Sequence, residues 1–267
     1  MNRDKKAKTE PVRKPYLTGS VTDGNTLREV LMFLATLLVC GFAYLLVGGM
    51  ASGTISVVSA ILNVLLILVS LTIYYYFGMS NGTSAVSHGE VMQRRLDTGR
   101  EVTPAERARG FHPLKGYATG LLGTAPLFLA ALALALITKR QMMSPGYLPS
   151  WVSAPSGRPD VLQPLTVYTV REPLTAESLL RMVIRIAVMP WVSLTGSQNT
   201  NGLLLLERLT PLIVLLPALA YGTGYLGGVR VRTRVHTDIA ANARKRARKE
   251  KRRIRQKNAA RKPEQLN

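Results

Sequence analysis

Apolar residues run through this chain in long unbroken stretches. No Asp, Glu, Lys or Arg falls between Val30 and Gly89, and further charge-free runs cover 116–138 and 209–229. A helix needs roughly 20 apolar residues to cross about 30 Å of hydrocarbon. The segments 30–50, 55–77, 117–138 and 209–227 meet that length. In lipid every backbone polar group must bond internally, so each segment is expected to be a helix. The fold class this predicts is an all-α membrane protein: a four-span helical bundle with an amphipathic outer interfacial helix and a basic cytoplasmic tail. A soluble fold would leave too little polar surface to cover four such runs.

Local signals divide the chain further. Residues 1–25 are polar and broken by Pro11, Pro15, Gly19 and Gly24, and are expected to form a disordered basic arm. Thr26 and Glu29 have the spacing of a capping box, so the first helix is expected to start there. Spans 1 and 2 then make a transmembrane hairpin, 26–78, with a tight turn at 48–53. Tyr74, Tyr75, Tyr76 and Phe77 predict an aromatic belt. The loop 79–115 is expected to hold short helices. One covers 91–96. A second opens at Thr103, where Pro104 and Glu106 follow an N-cap.

Span 3 is placed at 116–138 and span 4 at 203–228, with a kink expected at Pro217. Gly116 and Gly120 in span 3 face the spacing of Ala220, Gly224 and Gly228 in span 4, and these small residues predict close helix packing. Between them lies an outer loop, 139–202. Prolines break its first part, and 165–170 reads as a short strand. Thr175 then caps a helix at 175–190. At about 100° per residue, Glu177, Ser178, Arg181 and Arg185 share one arc, and Leu179, Met182, Val183 and Ile186 share the opposite one. Two arginines disfavour a fifth span, so this helix is expected to be interfacial or re-entrant, with Trp191 at the headgroup level.

Charge sets the orientation. With both ends inside, 28 of the 35 Lys and Arg residues fall on one side of a four-span chain. That asymmetry predicts a multi-pass protein of a cell membrane, bacterial by its general look, with both termini cytoplasmic. Cys40, alone in the first span, implies no disulfide framework.

Candidate chemistry is sparse. Gly222, Gly224 and Gly227 match the spacing of a dinucleotide loop, but they close a span rather than follow a strand, so packing is the better reading. His88, His112 and His236 are far apart and predict no metal site. No catalytic residue and no cofactor are expected, and the chain does not read as an enzyme. Asn63 is the most polar side chain within the spans. It suits a helix-joining hydrogen bond better than a substrate path. Arg181 and Arg185 are candidates for holding an anion or a lipid phosphate, or for pairing with Glu207 as a structural lock.

The segment 229–267 carries 15 basic and 3 acidic residues against a net charge of +20 for the whole chain. Its first residues alternate Val with Arg and suggest an extended run along a surface. From Asp238 the sequence favours helix. The candidate polyanion contacts are Arg244, Lys245, Arg246, Arg248, Lys249, Lys251, Arg252, Arg253 and Arg255. The expected partners are the lipid bilayer and its anionic lipids, with other membrane subunits, and RNA or a ribosome as the rival for the tail. The function expected is therefore a structural or accessory component of a membrane complex whose tail rests on anionic lipid. The alternatives are a small transporter or channel subunit, and a membrane tether for RNA or the ribosome.

Overall fold

The computed structural model describes residues 11–51, 57–138, 175–196 and 199–260. Seven helices lie among the described residues: α1 (Thr26–Ala51), α2 (Val57–Asp97), α3 (Pro104–Ala108), α4 (Lys115–Ile137), α5 (Ala176–Ala187), α6 (Met189–Thr195) and α7 (Thr200–Ala260). No strand occurs among those residues; one isolated bridge joins Thr18 to Phe111. Helices α1, α2, α4 and α7 are each long and apolar enough to cross a membrane. The turn at 52–56 and the strand expected at 165–170 lie outside the described residues.

Large apolar side chains face outward along these helices. Leu27, Leu31, Leu38, Val39, Phe42 and Leu46 of α1 are all exposed, as are Val58, Ile61, Leu65 and Leu68 of α2. In water such a surface would drive association. Against hydrocarbon it is the expected exterior.

The chain divides into two compact units. One contains 25–76 and 117–222. Its apolar cluster is built from Ala131 and Leu134 of α4, Ile184 of α5, Val188 just after α5, and Val214 of α7. A second group packs Phe33 of α1 against Tyr74 of α2, with ring centroids 4.9 Å apart and the planes tilted by 40°, and edges it against Tyr221 of α7 at 5.5 Å. Tyr74 is thus a core residue rather than part of a belt, because its ring finds two aromatic partners inside. Tyr75 and Tyr76 remain exposed.

Helices α5 and α6 meet at 92° across Val188. Pro190, near the start of α6, suits a first turn because its missing N–H would have no helical acceptor there. Thr175 caps α5 by accepting from the Ser178 amide, as its sequence predicts. The orientation of α5 is informative. Arg181 and Ile184 point inward, whereas Leu179, Met182 and Val183 are exposed.

The other unit contains the described part of 1–24, together with 77–116 and 223–267. Here three expectations are corrected. First, residues 11–24 are not a loose arm. Leu17 donates its amide to the Gly89 carbonyl, Gly19 to Phe111 and Ser20 to Ala108. Backbone pairing to a helix end and a loop satisfies the polar groups that composition alone marks as solvated. Second, the helix expected at 91–96 is the end of α2, which runs unbroken through Asp97. No proline interrupts 57–97, so nothing forces a stop where hydrophobicity ends. Third, 229–235 is helical, and Asp238 lies in mid-helix instead of at a cap. The Val/Arg alternation there matches no division into helix sides: none of these residues is buried, and Val235 is exposed along with Arg230 and Arg234.

The start of α1 also differs. The Glu29 amide donates to the Asn25 carbonyl, which places Asn25 rather than Thr26 at the cap position. The capping box at Thr103 forms as expected, with Thr103 and Glu106 bonding reciprocally.

Candidate functional site

The basic segment of α7 is the most exposed part of the structure. Every side chain in 242–257 is exposed. None of its cations has an ion-pair partner among the described residues. All nine candidate contacts from Arg244 to Arg255 therefore stand on one solvated helix.

The base of that helix is held firmly. Glu90 of α2 accepts from Arg232 at 3.0 Å (Nε) and 2.8 Å (Nη2) on one carboxylate oxygen, and from His236 Nε2 at 2.7 Å on the other. The Glu90 side chain is only 5 % exposed. Burial alone would push its carboxyl up. The hydrogen bonds from Arg232 and His236 more than offset that and hold it below its ordinary range. One turn from Arg232 along α7 and about two turns from Glu90 along α2, Gly228 and Gly82 let the two helices touch. A Cβ at Gly82 would lie 2.2 Å from the Tyr225 carbonyl oxygen, and one at Gly228 would lie 2.4 Å from the Gly82 carbonyl carbon.

The N-terminal segment closes around this base. Val12 donates its amide to Thr237 Oγ1 at 3.0 Å. Tyr16 meets Phe111 edge-on, and Phe111 stacks on Tyr225 with centroids 5.3 Å apart. Asp23 pairs with Lys115 at 2.8 Å, and both side chains are at most 2 % exposed. Arg13 and Lys14 edge a small cleft beside Glu90, Arg232 and His236. Nearby, Glu106 is held below the usual carboxylate range, first by the Thr103 amide and hydroxyl and then by Arg95.

A second polar cluster lies in the other unit, behind α5. Glu207 of α7 accepts from Arg185 at 2.7 Å (Nη2) and 3.1 Å (Nε). Arg181 Nε also lies 3.1 Å from Glu207, close enough for an ion pair but poorly aligned for a hydrogen bond. Thr138 donates to Glu207 and accepts from Arg181. Glu177 takes a further Arg181 N–H at 3.0 Å. Two arginines thus meet two glutamates, and the charges within this group balance.

The small residues expected to pack together divide between partners. A Cβ at Gly116 would meet the Tyr225 side chain, and one at Gly120 would meet Ala218, so both contact α7. Gly228 instead meets Gly82 of α2. Gly222 accommodates the Tyr117 ring. The glycines with dinucleotide-loop spacing therefore lie inside a helix. Asn63 is 1 % exposed, and its amide donates to the Ser59 carbonyl within α2 at 2.9 Å.

The histidines go to separate tasks. His88 contacts the Glu106 carbonyl, His112 accepts the Leu114 amide, and His236 serves Glu90. No group of three metal-ligating side chains occurs among the described residues. Sequence reasoning missed Glu90, Thr138 and the pair Asp23–Lys115. Glu90 had one signal: it is the acid that ends the charge-free run from Val30. The others had none, since their partners lie 92 and 69 residues away. No protein-family model, curated protein or solved structure matches the chain.

Proposed function

We propose that this is a multi-pass protein of a cell membrane, with both termini cytoplasmic, that works as an anchor: an accessory component presenting a rigid basic helix to a cytoplasmic polyanion. The observation that carries this reading is the continuity of α7. The helix that supplies the fourth apolar stretch runs on through 244–257. Those cations follow the apolar stretch on one unbroken helix instead of forming a separate helix of their own. From Gly228, where the apolar run ends, to Arg244 the rise is about 24 Å. That is about three Debye lengths at physiological ionic strength, and attraction to an anionic leaflet fades within one. The segment also lacks the apolar face a surface-lying helix needs, since Ile254 is its one large apolar side chain in 244–257. Soluble polyanion therefore gains on anionic lipid as the partner of the tail. Arg230 and Arg234, within two turns of the apolar run, stay in reach of lipid phosphates.

Helix α5 fits the outer membrane surface in this reading. Its exposed Leu179, Met182 and Val183 would meet acyl chains, and the inward Arg181 and Arg185 would avoid them. A transport role draws less support: the Asn63 amide nitrogen donates within its own helix, which leaves Oδ1 as the one atom of that amide without a partner among the described residues.

The test is RNA binding by the full chain in zwitterionic lipid discs, with and without residues 243–267. The reading requires binding that falls steeply with salt and disappears with the segment. Salt-dependent retention of anionic lipid by the same segment, with no RNA binding, would return the tail to the bilayer surface.

A further inference from the structure

We infer that the partner of the basic helix is a double-helical nucleic acid with an open major groove, that is, B-form DNA; the inference rests on the polyanion reading above. Three features of 244–257 carry it. The first is charge density. Ten of these fourteen residues are Arg or Lys and one is Glu. Fourteen residues rise about 21 Å, which gives one cation per about 2.1 Å. Duplex DNA carries a phosphate per roughly 1.7 Å of axis, and a single strand one per roughly 3.4 Å. The helix is matched to the duplex.

The second feature is the angular distribution. At about 100° per residue the ten cations cover roughly 240° of the circumference. Ala243, Ala247, Glu250 and Ile254 take the rest. That cation-free strip continues the side on which Tyr225 and His236 are buried further down the same helix. Cations on three sides suit a rod with phosphate walls to left and right and a groove floor beneath, its cation-free strip, which holds the one acid Glu250, turned outward. A flat anionic surface would use only one side.

The third is shape. A helix with side chains is about 10–12 Å across, and the major groove of B-DNA is about 12 Å wide. The A-form major groove is deep and narrow and does not admit such a rod. No aromatic side chain lies in 242–260, so the stacking platform that single strands use is missing. The helix is already formed, and its base is fixed by Glu90, so little ordering opposes insertion. Contacts of this kind go to phosphates and carry no sequence preference.

The experiment compares duplex DNA, duplex RNA and single-stranded RNA of equal phosphate number against the full chain in phosphatidylcholine discs. The expected order is duplex DNA tightest, by on the order of tenfold, with a log–log salt slope of about −5 to −8 for six to nine phosphates. A second variant, Ala247→Pro, keeps every charge but interrupts the helix. It should weaken duplex DNA binding by on the order of tenfold and leave single-strand binding unchanged. Equal affinity for all three polyanions, a preference for duplex RNA, or an Ala247→Pro chain that binds DNA as before would overturn the groove assignment while leaving polyanion binding intact. Absence of binding to all three would remove the underlying reading as well.

Discussion

Arg185 and Glu207 meet at 2.7 Å on the inward side of α5, so the polar face of that helix is its buried one. In water the arrangement would be inverted. Here the apolar side chains point out and the charges close on one another, as membrane proteins arrange ionisable groups. Glu207 is the hub: it serves Arg185, Arg181 and Thr138. Glu207→Gln should therefore destabilise the solubilised protein by about 3–5 kcal/mol, because it leaves buried guanidinium charge uncompensated. Replacing Arg181, Arg185 and Glu207 together by Met should recover most of that loss. Thermal unfolding in detergent checks both, and a triple variant no better than Glu207→Gln would refute the charge-balance account.

Glu90 makes the stability of its unit depend on pH. Its carboxyl is held below the ordinary value of 4.5 in the folded chain, burial being outweighed by Arg232 and His236. The folded state thus binds this proton less tightly than the unfolded state. The contribution is complete above about pH 4.5 and is lost as pH falls through the lower folded value. Glu106, also lowered, adds to the same acid limb. Glu90→Gln should lower the midpoint at neutral pH and flatten the acid limb in part. A series of melts between neutral pH and pH 3 reads this directly, and an unchanged acid limb in the variant would count against it.

Close approach at Gly82 gives a steric prediction with an internal control. A methyl group there meets the Tyr225 carbonyl oxygen at 2.2 Å, and backbone cannot move aside as a side-chain tip does. Gly82→Ala should cost about 1–3 kcal/mol or more. Gly41, in mid-helix with nothing within 4 Å of its added Cβ, is the contrast. There Ala should be neutral or stabilising by up to about 1 kcal/mol. Equal midpoints for the two variants would show that α2 and α7 do not touch at Gly82.

These sites also show what the sequence makes legible. The spans follow from the solvent: where no charge occurs from Val30 to Gly89, lipid requires helix, and helix is found at every described residue there. The capping box at Thr103 and the cap at Thr175 are local, decided by residues three apart. Continuity was harder. Hydropathy marks where a helix leaves the membrane, not where it ends, so α2 and α7 both run on past their expected limits. The docking of 11–24 is harder still. Pro11, Pro15 and Gly19 read as disorder until their neighbours are known, and those neighbours, Gly89, Ala108, Phe111 and Thr237, are brought in only by the fold. Arg181 and Arg185 were visible as a pair on one face. Which way that face turned depended on Glu207.

The same distinction separates two truncations of α7. Ending the chain after Ala241 removes all the exposed cations from Arg244 onward but keeps Arg232, His236 and Thr237, and hence the bonds to Glu90 and to the Val12 amide. Arg230, Arg232 and Arg234 also remain as the positive flank of the last span. This protein should insert, melt within about 0.5 kcal/mol of the full chain, as surface changes usually do, and lose polyanion binding. Ending after Val235 removes His236 and Thr237 as well. Glu90 then keeps Arg232 but loses its bond from His236, and the N-terminal segment loses its hold at Val12. The shorter protein should melt lower and be cut faster by trypsin at Arg13. Binding and melting are thus expected to separate between the two truncations, because residues 232–237 hold the base of the helix and residues 244–257 face its partner. Loss of stability in the longer truncation would mean that the exposed segment packs against the protein after all.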